Sequence, residues 1–130
     1  MTTKIFSIQK MAKQTGLSVH TLRYYEKIGL LNDVKRDENG YRQYGEKDIL
    51  WIEFLIRLKD TGMSIENMKL FSALRSEGDE TISARIKLLE SHQNEVQKQI
   101  QSLKENLNKI EEKILHYQAL EENEDGNTTR

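Results

Sequence analysis

The chain has 130 residues, a formal net charge of −1, and neither cysteine nor proline. The missing cysteines exclude a disulfide framework and a thiolate metal site, and no apolar run is long enough to cross a bilayer. Residues 1–10 lack the apolar core of a secretory signal, so we expect a cytoplasmic protein with one modest globular unit and an extension.

The near-neutral total conceals an uneven distribution of charge. Residues 1–60 contain eleven Lys and Arg against eight Asp and Glu, whereas residues 61–130 contain nine against thirteen. A basic first half is weak support for nucleic-acid binding, because solvated faces often carry such an excess. Motif spacing is therefore the stronger indicator of function.

The first predicted elements are two short helices joined by a tight turn. Ser7 is a typical N-cap, and the helix that it starts should end near Gly16. Ser18 caps a second helix that should end at Gly29. The inner face of this second helix carries Val19, Leu22, Tyr25 and Ile28. The opposite face carries His20, Thr21, Arg23, Tyr24 and Lys27. This pattern predicts a helix-turn-helix, whose second helix fits the major groove of DNA.

A β-hairpin is predicted next in the chain. Residues 31–35 and 41–44 flank the sequence Asp-Glu-Asn-Gly at positions 37–40. Asn39-Gly40 favours a tight turn because both residues tolerate a positive φ. We interpret this hairpin as a wing beside the helix-turn-helix.

Two further helices complete the predicted core. Residues 46–60 carry large apolar side chains around most of the helix circumference, so we expect this segment to be the central core helix. Gly62 should end it, and Ser64 should cap the following helix. In that helix Ile65, Phe71 and Leu74 are expected to face inward.

The last predicted element is a long helix from about Asp79 to Leu120 with an apolar seam. Its positions alternate in steps of four and three over five heptads, as in a coiled coil. The seam consists of Ile82, Ile86, Leu89, Gln93, Val96, Ile100, Leu103, Leu107, Ile110, Ile114 and Tyr117. A helix about 60 Å long, at roughly 1.5 Å per residue, cannot hide this stripe on a small domain. We therefore predict a homodimer, in which the polar Gln93 either fixes pairing or is simply tolerated near the surface.

These elements predict a mainly α-helical fold in three parts. Residues 1–75 should form a winged helix-turn-helix DNA-binding domain with a small β-hairpin wing. Residues 76–120 should form the coiled-coil dimerisation helix, and residues 121–130 a flexible acidic and polar tail.

The helix-turn-helix and the wing contain a specific signature. Its residues are TLRYYEKIGLL at positions 21–31, NGYRQY at 39–44 and Asp48-Ile49. In this order they resemble the mercury-resistance-regulator (MerR) family of transcriptional regulators, over about residues 5–75. The long helix is similar to that family's dimerisation helix, and the resemblance implies an antiparallel coiled coil.

The resemblance also implies which residues contact DNA. They are Ser18, His20, Thr21, Arg23, Tyr24, Arg36, Gly40, Tyr41, Arg42 and Lys59. Arg23 is the strongest candidate for base reading, since a guanidinium donates two hydrogen bonds to guanine, whereas the hydroxyls of Thr21 and Tyr24 suit phosphates. The alternative that Tyr24 rather than Tyr25 lies in the core stays open. The wing residues should contact the DNA backbone or minor groove, and Lys59 either supports the backbone or is merely solvated.

No catalytic or metal site is expected. The three histidines, His20, His92 and His116, form no ligand cluster along the chain, and we predict neither a metal nor another cofactor. No nucleophile–base pair or Gly-rich phosphate loop is present, so we expect no enzymatic activity. Relatives that sense soft metals use cysteines, and their absence here leaves the inducer open.

The resemblance implies a regulator that binds double-stranded DNA as a homodimer. Its operator would be pseudo-palindromic and would lie in a promoter, where distortion of the duplex lets RNA polymerase engage both promoter elements. A small effector or stress signal would act near residues 54–58, 71–74 and 78–86. Two alternatives are an excisionase-like architectural DNA-bending protein and a protein-interaction coiled coil that does not bind DNA.

Overall fold

A computed structural model describes residues 4–128, with side chains over residues 4–124. The chain divides into two units, one up to His92 and one from Gln93 onward. We call residues 4–92 the head and residues 93–128 the distal helix. The elements are α1 Ile8–Thr15, α2 Val19–Lys27, β1 Lys35–Arg36, β2 Arg42–Gln43, α3 Glu46–Asp60, α4 Ile65–Glu77, a 3₁₀ turn Asp79–Thr81 and α5 Ile82–Thr128. The mainly helical fold with a two-stranded wing is confirmed.

Helices α1 and α2 begin and end where the capping residues predict. The Ser7 hydroxyl accepts a hydrogen bond from the backbone N–H of Lys10 at 3.2 Å, and the Ser18 hydroxyl accepts one from that of Thr21 at 3.0 Å. These bonds satisfy N–H groups that have no partner inside the helix. Gly16 ends α1 with φ 77°, a left-handed conformation that glycine adopts without a steric penalty.

The segment after α2 is pinned to the two core helices by buried polar contacts. The indole N–H of Trp51 donates to the carbonyl of Leu30 at 2.8 Å, and the Ser72 hydroxyl donates to the carbonyl of Gly29 at 2.9 Å. The amide of Asn32 donates in turn to Ser72 at 3.2 Å. The C-terminal end of α2 is therefore fixed by side chains from α3 and α4, far away in sequence.

The wing is a short antiparallel hairpin in which Lys35 pairs with Gln43 and Arg36 pairs with Arg42. An isolated bridge between Phe6 and Tyr44 attaches it to the start of the chain. The predicted turn chemistry is only half right. Gly40 has φ 84°, but Asn39 is not among the residues with positive φ. The Asp37 carboxylate instead accepts the N–H groups of Asn39 and Tyr41, each at 2.9 Å, which holds the turn without a left-handed Asn39.

Helices α3 and α4 both contribute buried side chains to the core, but some apolar residues expected to be buried are exposed. Helix α3 buries Trp51, Ile52, Leu55 and Leu58. Leu50, however, is 68% exposed, so one apolar side of α3 is not covered by the rest of the head. Helix α4 buries Met68, Phe71 and Ser72. The inward placement predicted for Ile65 is wrong, because this first-turn side chain is exposed.

The first part of α5 belongs to the head. Leu88 and Leu89 pack against its core, and His92 Nε2 lies 2.7 Å from the Thr61 hydroxyl. The boundary predicted after Arg75 lies within α4. It also lies before these contacts between α5 and the core. Within the distal helix, every side chain over residues 93–124 is exposed except Val96, which is half-buried.

Helix α5 extends further than the sequence pattern suggests. Backbone helix continues to Thr128, across most of the segment predicted as a flexible tail; residues 129 and 130 lie outside the described residues. Extending an established helix costs little per residue, whereas starting one is costly. Within residues 4–128, no helix has an apolar stretch long enough to cross a membrane.

Candidate nucleic-acid interface

Helix α2 presents a polar face to solvent and an apolar face to the core. His20, Arg23 and Lys27 are exposed, while Leu22 is fully buried. The two adjacent tyrosines separate cleanly, because Tyr24 is 47% exposed and Tyr25 only 3%. The open alternative is thereby decided in favour of Tyr25 as the core residue. Tyr24 and Arg23 lie on the side of α2 that a ligand can reach.

Ser18 and Thr21 are joined at the start of α2 in a way that divides their hydrogen-bonding roles. The Ser18 hydroxyl accepts from the Thr21 backbone N–H and donates to the Thr21 hydroxyl at 2.9 Å. Its donor is therefore used within the cap. The Thr21 hydroxyl accepts this bond and keeps its own O–H, which is the group a phosphate oxygen needs. The two hydroxyls are therefore held next to each other at the start of α2.

The wing carries two arginines with different surroundings. Arg36 has a side chain that is 45% exposed, and its Nη1 donates to the carbonyl of Gly40 at 2.9 Å, which stiffens the turn. Arg42 is more enclosed, with 20% of its side chain exposed. Tyr41, at the turn, is largely exposed. Arg36 and Tyr41 are therefore the accessible side chains of the wing, and Arg42 is partly withdrawn.

Glu26 joins both wing arginines to α2. Its Oε1 accepts from Arg36 Nη2 at 3.3 Å, and its Oε2 accepts from Arg42 Nε. The carboxylate is only 22% exposed. Sequence reasoning quoted Glu26 within the signature but gave it no role. The available signal was an acidic residue on a helix expected to face phosphate, which is unfavourable unless a nearby cation compensates it.

The Tyr44 hydroxyl lies buried near the same charges. It has no hydrogen-bond partner among the described residues. Burial raises the pKa of Tyr44 above its ordinary value of 10.0, and the negative charge of Glu26 raises it further, while Arg42 opposes the shift. The phenol therefore stays neutral throughout the physiological range and adds no charge to the interface.

Lys59 lies apart from the other residues predicted to contact DNA. Lys59 is exposed in the last turn of α3, and no hydrogen bond or ion pair links its side chain to α2 or to the wing among the described residues. Within the part of the chain that the structure describes, no group of three or more His, Cys, Asp or Glu side chains could hold a metal ion. The geometry thus unites α2 with the wing through Glu26 and leaves Lys59 apart.

Two family models match the chain. The model described as MerR HTH family regulatory protein matches residues 6–74, and the model described as MerR, DNA binding, matches residues 50–113. The first covers the helix-turn-helix, the wing and most of the two core helices. The second spans the core helices and much of α5.

Curated relatives and solved structures agree with these matches. An uncharacterised HTH-type transcriptional regulator from Haemophilus influenzae is 42% identical over 87% of this chain and 84% of its own length. The regulator AdhR from Bacillus subtilis is 47% identical over 64% of this chain, and the match spans 59% of AdhR.

Among solved structures, HiNmlR is described as a MerR family regulator that lacks the sensor domain and is bound to promoter DNA. It is 41% identical, with a TM-score of 0.82 over 88% of this chain and 91% of its own. A MerR-family transcriptional regulator from Bacillus thuringiensis is 37% identical, with a TM-score of 0.76 over 85% of this chain and 97% of its own. All four of these proteins are named as regulators, so the excisionase-like alternative finds no support among them. The chain belongs to the MerR family of helix-turn-helix regulatory proteins and is a DNA-binding transcriptional regulator.

Proposed function

We propose that this regulator binds a pseudo-palindromic promoter operator as a homodimer and distorts the duplex there. The observation that carries the proposal is the division of α2 into a buried face and an exposed face. Leu22 and Tyr25 hold the helix on the core, and Arg23 and Tyr24 are left free for DNA. A helix held in this way can enter a major groove without exposing the core.

The proposed contacts divide into base reading and positioning. Arg23 reads guanine, because its guanidinium is exposed and makes no ion pair among the described residues. Thr21, Tyr24 and His20 contact phosphate oxygens beside the groove. In the wing, Arg36 and Tyr41 approach the backbone or minor groove. Ser18, Gly40 and Arg42 act mainly by positioning these groups, and Lys59 makes a peripheral contact.

The seam of α5 supports the homodimer. Most large apolar side chains along it, from Ile82 to Tyr117, are exposed in the single chain, whereas Leu89 packs against the core of the head and Val96 is half-buried. Side chains of this kind gain about 25 cal/mol for each Å² removed from water, which favours pairing with a second copy. We propose an antiparallel pairing. Residues 82–100 carry three Lys and Arg against two Asp and Glu, whereas residues 101–128 carry three against seven, so opposed helices bring unlike charges together.

We propose that a small effector binds the head rather than a separate domain. An open groove of about 470 Å³ overlaps the predicted region at Phe54, Phe71 and Arg85. It is lined by Lys47, Leu50, Trp51, Phe54, Phe71, Arg75, Arg85 and Leu89. Aromatic and cationic side chains together suit a small amphipathic anion. Such a ligand would act by preferring one of two dimer conformations.

The proposed setting follows from this role. Distortion of the operator would bring promoter elements into a geometry that RNA polymerase can use, at a deformation cost offset by added protein contacts. The regulator would act in the cytoplasm, where promoter DNA is found. We propose no enzymatic activity, since families of this kind act through binding.

The test is selection of bound duplexes from random and genomic DNA, followed by affinity measurements with Arg23→Ala. The variant should lose about 1–3 kcal/mol of operator affinity and relax the preference at one base position in each half-site. Lys69→Ala, which removes an exposed charge on α4, is the matched control and should change neither. Unchanged affinity for Arg23→Ala, or selected sites without two-fold symmetry, would contradict the proposal.

A further inference from the structure

Glu26 is an acidic residue on the helix proposed to enter the DNA groove, where a negative charge is unfavourable. A carboxylate near the phosphate backbone opposes binding, because both groups are negative. Glu26 nevertheless pairs with two guanidinium groups, and only 22% of its side chain is exposed. We infer that Glu26 is a specificity-determining residue, which fixes the wing relative to α2 and so limits the phosphate contacts of Arg36 and Arg42 to one orientation of the wing. This inference rests on the proposed mode of DNA binding.

The wing needs such an attachment because its own secondary structure is minimal. Each strand has two residues, and a hairpin of this size is at best marginally stable alone. The Phe6–Tyr44 bridge anchors one end of the wing to the start of the chain. Among the described side chains, Glu26 makes the only hydrogen bonds between α2 and the wing strands.

The two arginines transmit this attachment along both strands. Arg36 lies on β1 and Arg42 on β2, directly opposite each other in the hairpin register. Glu26 therefore holds both strands with one carboxylate. Arg36 also donates to the carbonyl of Gly40, so the turn that bears Tyr41 is tied to the same group. The position of the wing tip is thus coupled to the recognition helix.

Removing the carboxylate should have two effects, one on non-specific affinity through charge and one on the affinity ratio through the position of the wing. Glu26→Gln frees two cations near the DNA, so non-specific affinity should rise and depend more steeply on salt, because each extra phosphate contact releases counterions. A wing that no longer has one orientation cannot support a single register on the operator. The ratio of operator affinity to non-specific affinity should therefore fall.

The experiment measures fluorescence anisotropy of the full chain with the duplex selected above and with a scrambled duplex of the same composition, at several salt concentrations. Glu26→Gln is expected to lower the affinity ratio by about tenfold and to tighten scrambled-duplex binding. Glu38→Gln is the matched control, because Glu38 is an exposed carboxylate of the same wing and makes no ion pair among the described residues. It should leave the ratio within about twofold. Equal changes for the two variants would overturn the inference.

Further variants separate a positioning role from loss of folding. In an Arg36→Gln, Arg42→Gln background, Glu26→Gln should change the ratio no further, and an additional drop would show that Glu26 acts by another route. If Glu26→Gln does not fold by circular dichroism, Arg42→Gln carries the same expectation of a lower ratio, and an unchanged ratio would refute it. If the unaltered protein itself does not prefer the selected duplex, the proposed function fails rather than the role of Glu26.

Discussion

In the head, fifteen apolar side chains are buried and join one core, whereas in the distal helix none of the described side chains is buried. The head brings together segments that are distant in sequence, as when Trp51 donates to Leu30 and Ser72 to Gly29. Side-chain hydrogen bonds in the distal helix join near neighbours, such as Gln101 and Glu105.

The head and the distal helix therefore differ in the source of their stability. The head satisfies its apolar and polar groups within one chain. The distal helix keeps its apolar stripe in water, and an isolated helix gains little stability from local contacts alone. In the proposed homodimer, association would supply its stability and would also link two DNA-binding heads.

The largest expected effect comes from removing the distal helix. A chain that ends at His92 should remain folded and become monomeric, because it keeps Leu88, Leu89 and the contact between Thr61 and His92. Operator affinity should fall by about 100-fold or more, since the second half-site is no longer tethered. Sedimentation and anisotropy would measure both changes. A chain that ends at Arg75 should unfold more readily than the chain that ends at His92. If the His92 chain is a monomer that binds the operator as tightly as the full chain, the distal helix does not contribute to DNA binding.

A charge placed in the seam should have the next largest effect. Ile114→Glu would put a carboxylate into the proposed dimer contact and weaken dimerisation by about 100-fold. Leu115, the adjacent residue outside the seam, is also exposed, so Leu115→Glu serves as the control and should change dimerisation little. Analytical ultracentrifugation would compare the two. Equal effects at both positions would mean that the seam does not define the interface.

Substitution of Gln93 tests whether this polar residue lowers the stability of the seam and makes its pairing more specific. Gln93→Leu should raise the melting temperature by about 3–5 °C, because an apolar residue replaces a polar one between helices, and should broaden the distribution of oligomers. Gln101→Leu, outside the seam, should do neither. Thermal melts together with native mass spectrometry would report both properties. A lower melting temperature with a clean dimer would reject this role for Gln93.

The smallest effect concerns the buried phenol of the head. Tyr44→Phe removes a hydroxyl without a partner, so stability at neutral pH should stay equal or rise by up to about 1 kcal/mol. The folded state holds the Tyr44 proton more tightly than the unfolded state, because its pKa lies above 10.0. That contribution is fully present below pH 10 and is lost as the pH rises through the folded pKa.

The melting temperature of the unaltered protein should therefore fall more steeply above pH 10 than that of Tyr44→Phe. Tyr41→Phe is the control, since Tyr41 is largely exposed, and it should keep the steep fall. Thermal melts from pH 7 to pH 11 provide the measurement. Parallel curves for the unaltered protein and Tyr44→Phe would show that the alkaline loss has another origin.

Local rules predicted the elements of the head well. Ser7 and Ser18 are found as caps, and Gly16 ends the first helix, because these bonds involve residues within a few positions of one another. The signature also placed the helix-turn-helix and the wing in the correct order. The turn was less predictable, since the Asp37 side chain took the role expected from a left-handed Asn39.

Non-local contacts were beyond the reach of sequence patterns. The pairing of Glu26 with Arg42 spans sixteen residues, and its partners can be identified only after the wing has folded back on α2. Exposure of Leu50 and Ile65 was missed for the same reason, because helical periodicity shows that a face is apolar but not how much of it is covered. The DNA contacts themselves stay predictions.

By itself, the sequence determined the helices, their caps, the hairpin and the seam, because each depends on side chains a few residues apart and on the backbone freedom of particular positions. Tertiary structure alone decided that Tyr25 enters the core while Tyr24 stays outside, that α5 contributes its start to the head, and that one carboxylate holds both strands of the wing. These outcomes depend on which surfaces meet when distant segments pack, and local spacing carries no information about that meeting.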